Sequence, residues 1–310
     1  MVTKGDKIVF AIVLLLAVGT FFFLKNRNAA KAGIVEESSK KDQKEKKGKK
    51  GGKKEDNPTP DGGISILQKW EMPASLNEIS GIARIDGVRF ACVQDEQGKI
   101  FIYNTADSKI EKEISFGDVG DYEGIAVVGT TAYVMRADGK LFEVSAFNSD
   151  KPSAKQHSTH LTAKQDVESL CYDPKNNRLL LAIKGKETDS KDYKGIYAFD
   201  LSSKKLSVAP VYKVDLTEGT AEDNKGKNKI QPSDIAVHPV TGDLYILDGP
   251  DSRLLVMGQD GATKQLYQLN TKDFAQPEGI DFAPEGDLFI SNEANKGSGN
   301  ILKVLISATP

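Results

Sequence analysis

Residues 276–295 have the sequence QPEGIDFAPEGDLFISNEAN, and this stretch predicts the fold of most of the chain. A carboxylate, Glu278, opens a short apolar strand, a turn follows at residues 284–287, and a second strand at 288–290 ends in polar residues. Two short apolar runs on either side of a Pro- and Gly-containing turn are typical of a β-hairpin. The same pattern occurs four more times upstream, so one hairpin unit is repeated through the chain.

Five repeats of this hairpin predict an all-β fold, a five-bladed β-propeller. The units start at positions 80, 123, 168, 233 and 278, and therefore lie 43, 45, 65 and 45 residues apart. A third strand-like segment follows each hairpin, and several short strands at a period of roughly 40–45 residues indicate propeller blades. The 65-residue interval contains two polar loops and only one hairpin signal, so we count five blades, with six as the alternative.

The propeller domain is expected to span residues 64–310 and to be closed by its own N-terminal strand. The fifth unit ends near Ile306 after three strands, which leaves its outer edge without a neighbour. A strand-like segment, Ile64–Met72, precedes the first unit and belongs to no repeat. Because an exposed edge strand is prone to pair with other chains, we predict that this segment becomes the outer strand of the last blade.

Residues 1–63 differ in composition from the rest and predict a membrane anchor followed by a linker. Residues 8–24 carry no charged side chain, and this length approaches the roughly 20 residues of a membrane-spanning helix. We predict an uncleaved signal anchor, one transmembrane helix within residues 1–24, with a cleaved signal peptide as the alternative. Residues 25–63 are rich in Lys, Gly and Pro and nearly free of large apolar side chains, which predicts a disordered linker.

This arrangement predicts a single-pass protein of the cell membrane, with a monomeric propeller in the periplasm or outside the cell. The lysines that follow the apolar segment favour the opposite orientation by the positive-inside rule. Long segments, however, translocate largely regardless of charge. We therefore expect the membrane to be a partner through the N-terminal helix and the propeller to be exported.

The charge of the predicted propeller argues against nucleic acid as a partner. The whole chain has a net charge of −2 and its first 54 residues carry +9, which leaves −11 for residues 55–310. An acidic domain repels polyanions and attracts cations.

Acidic residues recur at the start of the predicted inner strands, where a propeller has the mouth of its central channel. Alignment of the units gives a first ring of residues and, two positions earlier, a second ring on the same side of each strand. The first ring is Ser80, Glu123, Glu168, Ser233 and Glu278. The second ring is Glu78, Asp121, Asp166, Gln231 and Gln276. Asp234 adds a carboxylate one position after the first ring.

Carboxylates that are brought this close either take up protons or bind a cation. Oxygen donors with no His or Cys nearby suit Ca²⁺ best, so Ca²⁺ is the expected cofactor. The candidate metal ligands are Glu78, Glu123, Glu168, Asp234 and Glu278. The alternative is that these carboxylates accept hydrogen bonds from backbone N–H groups and pair with basic residues.

The ends of the second strands are expected to add a ligand-binding rim on the same face. Arg136 and Lys184 belong to the blades that start with Glu123 and Glu168, so they can form ion pairs with these acids or hold an anionic ligand. The candidate ligand-binding residues are Asp121, Asp166, Arg136, Lys184, Asp248 and Glu293.

Five motifs, taken together, resemble the bacterial SdiA-regulated family. They are NEISGIA (77–83), DYEGIA (121–126), DVESL (166–170), QPSDIAVHP (231–239) and QPEGI (276–280). The resemblance covers about residues 64–310 and implies a five-bladed propeller distantly similar to NHL repeats, a calcium ion in the domain and an envelope location. It implies no established reaction. Ser80 and Ser233 depart from glutamate, so a ligand set that uses all five first-ring positions is not expected.

The leading hypothesis is a membrane-anchored, calcium-binding propeller that acts as a binding or scaffold module at the cell envelope. The alternative is a calcium-dependent hydrolase of a lactone, ester or phosphoester, with its site at the channel mouth. In gluconolactonases and paraoxonases, which are related propellers, a channel calcium polarises the substrate carbonyl. By this resemblance Glu123 or Glu168 would act as general base, and Arg136 or Lys184 would orient the substrate. The small-molecule or envelope ligand is not specified by the sequence.

Overall fold

The computed structural model describes residues 63–216 and 229–307, which form an all-β propeller of five blades. The predicted anchor and nearly all of the predicted linker lie outside the described residues. The prediction of five blades is confirmed, and the six-blade alternative is wrong. Within the described ranges no helix is long and apolar enough to cross a membrane, and the helical segments are two three-residue 3₁₀ turns at Ala74–Leu76 and Pro174–Asn176.

Each blade is one antiparallel sheet, and the blades follow one another along the chain. The first strand of the domain is β1 (Ile64–Glu71). Blade one contains β2 (Ile79–Arg84), β3 (Arg89–Gln94), β4 (Lys99–Asn104) and β5 (Lys109–Ser115). Blade two contains β6 (Tyr122–Val128), β7 (Thr131–Arg136), β8 (Lys140–Ser145) and β9 (Ser153–Ser158).

The other three blades complete the ring. Blade three contains β10 (Cys171–Asp173), β11 (Arg178–Ala182), β12 (Tyr193–Asp200), β13 (Lys205–Leu206) and β14 (Tyr212–Asp215). Blade four contains β15 (Pro232–Val237), β16 (Leu244–Asp248), β17 (Arg253–Met257) and β18 (Thr263–Gln268). Blade five contains β19 (Pro277–Phe282), β20 (Leu288–Asn292) and β21 (Asn300–Ile306). The inner strands β2, β6, β10, β15 and β19 contact one another in a closed cycle around the central axis.

The place of a strand within its blade is visible in its side chains. Strands near the axis, such as β3 (RFACVQ), are buried on both faces because neighbouring blades pack against them. Outermost strands, such as β5 (KIEKEIS) and β9 (SAKQHS), are mostly exposed and polar, which protects the edge of the sheet. The buried apolar residues form five clusters, one between each pair of adjacent blades.

The long third repeat enlarges one blade and adds no other. Its strand β12 pairs with β11 on one side. On the other side, the end of β12 pairs with β13 and its beginning pairs with β14. Strands β13 and β14, which belong to the described part of the 65-residue interval, therefore form the outer edge of blade three.

The ring is closed by the N-terminal strand, as predicted. Strand β1 pairs antiparallel with β21, with Ile64 opposite Ile306 and Glu71 opposite Asn300. The order of blade five is therefore β19–β20–β21–β1. The Tyr103 hydroxyl donates to the Glu71 carbonyl at 2.9 Å, which joins this last strand to blade one.

We expect removal of residues 1–71 to destabilise the propeller strongly, whereas removal of residues 1–62 leaves β1 in place. Loss of β1 unpairs the edge of β21 and removes the contact between the Trp70 and Phe289 rings, whose centroids are 6.2 Å apart. In thermal denaturation followed by circular dichroism, the shorter truncation should melt within about 2 °C of the full chain and the longer one about 10 °C or more below it. Equal midpoints for the two truncations would contradict closure by β1.

Candidate functional site

Irregular strand pairing at the start of each blade positions the first-ring side chains. In four blades the register between the inner and second strands shifts by one residue, and the residue left unpaired is Ser80, Glu123, Ser233 or Glu278. In blade three, Glu168 directly follows the isolated pair Val167–Ile183. A bulge re-aims the side chain of its extra residue. The first ring therefore coincides with the bulges, which the sequence repeat alone does not reveal.

Glu123, Glu168 and Glu278 come together at one end of the channel, which we call the acidic mouth. Burial raises the pKa of Glu123 to about 10, and Glu168, Asp121 and Glu278 add to the effect. Burial raises the pKa of Glu168 as well, but only to about 7, because Lys184 opposes the increase. Burial also raises the pKa of Glu278, and Lys184 again opposes the increase. The structure thus brings together three of the five predicted metal ligands.

Lys184 is the basic residue of this cluster. Its Nζ donates to Glu168 Oε2 at 3.1 Å, so the predicted ion pair between these two residues is formed. Burial lowers the pKa of Lys184, but Glu168, Glu278 and Glu123 outweigh burial and raise it. One lysine therefore stands against three carboxyl groups, and the cluster has an excess of negative charge once its acids ionise.

A second group of acids borders the mouth between blades five and one. Burial raises the pKa of Glu293 to about 8, with further contributions from Glu78, Glu278 and Asp95. The Gln276 side-chain amide donates to Glu293. Burial and Glu78 raise the pKa of Asp95 as well. Of the flanking candidates, Asp121 and Asp166 interact electrostatically with Glu123 and Glu168, respectively.

Two candidate ligand-binding residues are engaged in ion pairs within their own blades. The Arg136 guanidinium donates to both carboxylate oxygens of Asp138, at 2.9 and 2.8 Å, and lies over the Phe142 ring. It therefore pairs with Asp138 rather than with Glu123. Asp248 is fully buried and accepts hydrogen bonds from Arg253 at 2.9 and 2.5 Å. These contacts identify structural roles for Arg136 and Asp248.

Asp234, a predicted metal ligand, lies near the axis, and its carboxylate accepts hydrogen bonds from backbone N–H groups. Its Oδ1 accepts N–H groups from Leu170 at 3.3 Å and Ile235 at 2.9 Å, and its Oδ2 accepts the N–H of Ile280 at 2.9 Å. These donors belong to blades three, four and five. Burial raises the pKa of Asp234, whereas the three N–H groups oppose that shift. For this residue the alternative interpretation, a carboxylate that satisfies backbone donors, describes the observed contacts.

Close approach of the inner strands explains why only one side chain of this kind fits. The residues aligned with Asp234 in the other blades are Gly81, Gly124, Ser169 and Gly279. A Cβ atom at Gly124 would lie 2.7 Å from the backbone N of Leu170, and one at Gly279 would lie 3.0 Å from that of Ile82. Neighbouring inner strands are therefore nearly in contact at this level, which lies one residue below the first ring.

The acidic mouth fits Ca²⁺ in donor type and charge but not in distance. Carboxylate and amide oxygens are the donors that Ca²⁺ prefers. Over residues 63–216 and 229–307, however, no group of three or more His, Cys, Asp or Glu side chains has the arrangement of a metal site. As the side chains lie, Lys184 donates a hydrogen bond to Glu168 and interacts electrostatically with Glu123 and Glu278.

A cavity of about 480 Å³ opens on the opposite face of the propeller, where the hairpin turns lie, and we call it the lower cavity. Its lining includes the carboxylate of Asp281, whose Oδ2 accepts the Arg84 N–H at 2.5 Å and whose Oδ1 accepts the Phe282 N–H at 2.8 Å. Sequence reasoning missed this site. A signal was present, since the residues aligned with Asp281 in the other units are Ala83, Ala126, Cys171 and Ala236.

Comparison with known proteins places the chain among β-propellers. A sequence model of the SdiA-regulated family matches residues 66–296, whereas no curated protein sequence matches the chain. Glutaminyl cyclase of Myxococcus xanthus is 16% identical with a TM-score of 0.59, over 80% of this chain and 97% of the cyclase. Virginiamycin B lyase of Staphylococcus aureus is 14% identical with a TM-score of 0.42, over 80% of this chain and 75% of the lyase. At 16% identity the match to the cyclase shows the fold alone.

We expect Asp234→Ala to lower the free energy of unfolding by about 3 kcal/mol or more, because three buried N–H groups lose their acceptor. Urea denaturation of the variant and the wild-type protein measures this change. Asp150→Ala, at an exposed turn position, is the matched control and should change the value by less than about 0.5 kcal/mol. Equal stability of the two variants would contradict a structural role for Asp234.

Proposed function

The chain belongs to the SdiA-regulated family, and from this membership and the acidic mouth we propose that it is an envelope propeller that binds a cation. Ca²⁺ is the proposed cation. The apolar segment 8–24 is the proposed membrane anchor, and residues 25–63 are the proposed linker between membrane and propeller. In this function the domain is a binding or scaffold module, and the cation shapes the surface that meets its ligand.

The observation that supports this proposal is the crowding of Glu123, Glu168 and Glu278 around Lys184. Burial and repulsion from neighbouring carboxylates raise the pKa values of all three carboxyl groups, and for Glu278 that neighbour is Asp95, so each binds protons more tightly than it would in water. A divalent cation can replace those protons and relieve the repulsion at the same time. Acids that are strongly desolvated and only partly compensated by one lysine are suited to this exchange.

The residues of the acidic mouth divide naturally into two roles. Glu123, Glu168 and Glu278 are the candidates for direct contact with the cation, and Glu78 and Glu293 are placed to complete the set from blades one and five. Asp121 and Asp166 add negative charge beside Glu123 and Glu168. Asp234 keeps its three N–H donors and is not needed as a ligand of the cation.

We expect Ca²⁺ to raise the melting temperature of the protein by about 5 °C at a concentration of roughly 100 times its Kd, and EDTA to reverse the increase. The increase should shrink as the pH falls from about 8 to about 5, since protons then occupy the same carboxylates, whose pKa values are raised. Differential scanning calorimetry at both pH values measures it.

Glu123→Gln combined with Glu278→Gln should remove the response to Ca²⁺. The matched control is Glu71→Gln, whose side chain is 58% exposed and pairs with Lys69 outside the mouth. A melting temperature that is the same in Ca²⁺ and in EDTA would refute cation binding at the acidic mouth. A response that survives the double substitution would assign the cation to another site.

Acid–base catalysis at the acidic mouth is a second candidate function, and Glu168 favours it. Burial raises the pKa of Glu168 to about 7, and Lys184 holds its carboxylate at 3.1 Å. A carboxyl group with a pKa near neutrality is suited to accept and return a proton during ester or lactone hydrolysis. Lys184 would then orient the substrate oxygen. The Myxococcus xanthus glutaminyl cyclase shares the fold, but function resides in the site and not in the fold.

If the mouth is a hydrolase site, a panel of lactones, aryl esters and phosphoesters should contain a substrate that the protein turns over in the presence of Ca²⁺. Glu168→Gln should then lower kcat by about 100-fold or more, because the amide cannot transfer the proton. Steady-state rates with Glu71→Gln as control measure this loss. A complete lack of turnover across the panel would contradict the hydrolase and leave the cation-binding module.

A further inference from the structure

The lower cavity has the size and walls of a small-molecule site. Its volume of about 480 Å³ lies within the range of roughly 300–1,000 Å³ that is typical of ligand pockets. Apolar and aromatic side chains from the ends of the inner strands and from the hairpin turns line it. They include Ile82, Val127, Tyr172, Tyr212, His238 and Phe282.

The aromatic part of the wall is electrically neutral. Burial lowers the pKa of His238, so its imidazole is uncharged at neutral pH. The His238 ring packs edge-on against Phe282, with centroids 4.9 Å apart, and stacks with Tyr245 at 5.8 Å. These contacts hold the His238 and Phe282 rings in place beside the cavity.

Asp281 places a negative charge against these walls. Each of its oxygens accepts one backbone N–H, which leaves each oxygen a further lone pair. Burial raises the pKa of Asp281 to about 6, so the carboxylate is mainly ionised at neutral pH. Within the described residues Asp281 has no ion-pair partner closer than 4 Å, since Arg84 contacts it through the backbone and its guanidinium lies 3.8 Å from Glu285.

The remaining charged side chains of the lining have partners of their own. Asp173 accepts hydrogen bonds from Arg178 at 2.8 Å and from Asn176 at 2.7 Å. Lys175 donates to Gln259 at 3.1 Å, at the exposed rim. Arg84 also lines the cavity and lowers the pKa of Asp281 from a distance, but its guanidinium lies 6.0 Å from the centre of the Phe289 ring and 3.8 Å from Glu285. Asp281 is therefore the charged group of the lining that has no side-chain partner within 4 Å among the described residues.

We propose that the lower cavity binds a small organic cation, an amine with an apolar body, whose ammonium group pairs with Asp281. The body of the ligand lies against the aromatic wall, where the ring faces also attract the positive charge. An anionic ligand is disfavoured because it would meet the carboxylate. A neutral apolar ligand is disfavoured because it would desolvate Asp281 without giving it a partner.

This site is independent of the acidic mouth. Between the two lie the level of Gly81, Gly124 and Gly279, where the inner strands nearly touch, and the buried carboxylate of Asp234. The lower cavity opens between the hairpin turns, so a ligand has access from that face. Loss of function at the mouth and loss of amine binding are consequently separable by mutation.

The experiment is isothermal titration calorimetry of the full-length chain in detergent with phenethylammonium as the probe. The neutral analogue 2-phenylethanol has nearly the same shape and serves as the matched ligand. We expect phenethylammonium to bind about tenfold more tightly than 2-phenylethanol, since only the ammonium can form a charge-assisted hydrogen bond with Asp281.

Two substitutions test the place of binding. Asp281→Asn should weaken phenethylammonium binding by about tenfold while sparing 2-phenylethanol. Val127→Trp should fill the cavity and weaken both ligands. The controls are Asp150→Asn and Val119→Trp, both at exposed positions, and Glu168→Gln at the acidic mouth, and all three should bind phenethylammonium as the wild-type protein does.

Some results would overturn the proposal. They are an absence of phenethylammonium binding at millimolar concentration, equal affinity for the two ligands, or binding that is lost in Glu168→Gln and retained in Val127→Trp. If Asp281→Asn proves unstable because it loses one acceptor for a backbone N–H, the decision rests on Val127→Trp and its control Val119→Trp. A failure of Ca²⁺ to stabilise the protein would refute the proposed cation at the mouth and would leave this site unaffected.

Discussion

The structure depends on how the five inner strands meet at the axis. Where they converge, their backbone N–H groups are buried, and a buried donor without an acceptor is costly. Asp234 supplies the acceptor for blades three, four and five. Glycines at the aligned positions of blades one, two and five permit the close approach that makes this possible. One carboxylate among small residues therefore joins three blades, at a level of the inner strands that lies between the acidic mouth and the lower cavity.

The two faces offer different chemistry, because different side chains lie on either side of this level of the inner strands. Above it, the bulges of the inner strands direct glutamates toward one another, and burial with mutual repulsion raises their pKa values. Lys184 balances the charge of one glutamate, and the other glutamates are left to bind protons or a cation. Below it, the same strands end in apolar residues, and the carboxylate of Asp281 is the charge offered to a ligand. The first face suits inorganic cations and the second suits an organic one.

Family membership and fold constrain the function less than the sites do. The SdiA-regulated family places the chain among propellers, and a glutaminyl cyclase of 16% identity shares the architecture. In this chain the interblade clusters and the closure by β1 hold the ring together. The residues at the ends of the strands can then vary between family members without loss of the fold. The acidic mouth and the lower cavity are therefore the parts of the molecule that indicate its function.

The sequence by itself determined the number of blades, the closing strand and the end of the channel where the acids gather. These properties follow from local periodicity and from the repeat, which need no knowledge of distances between blades. It also paired Lys184 with Glu168 correctly. It did not determine that Asp234 accepts three backbone N–H groups, that Arg136 turns to Asp138, or that a cavity surrounds Asp281. Those outcomes depend on bulges, which shift side chains by one position, and on gaps between strands far apart in the chain, and only the packed ring decides both.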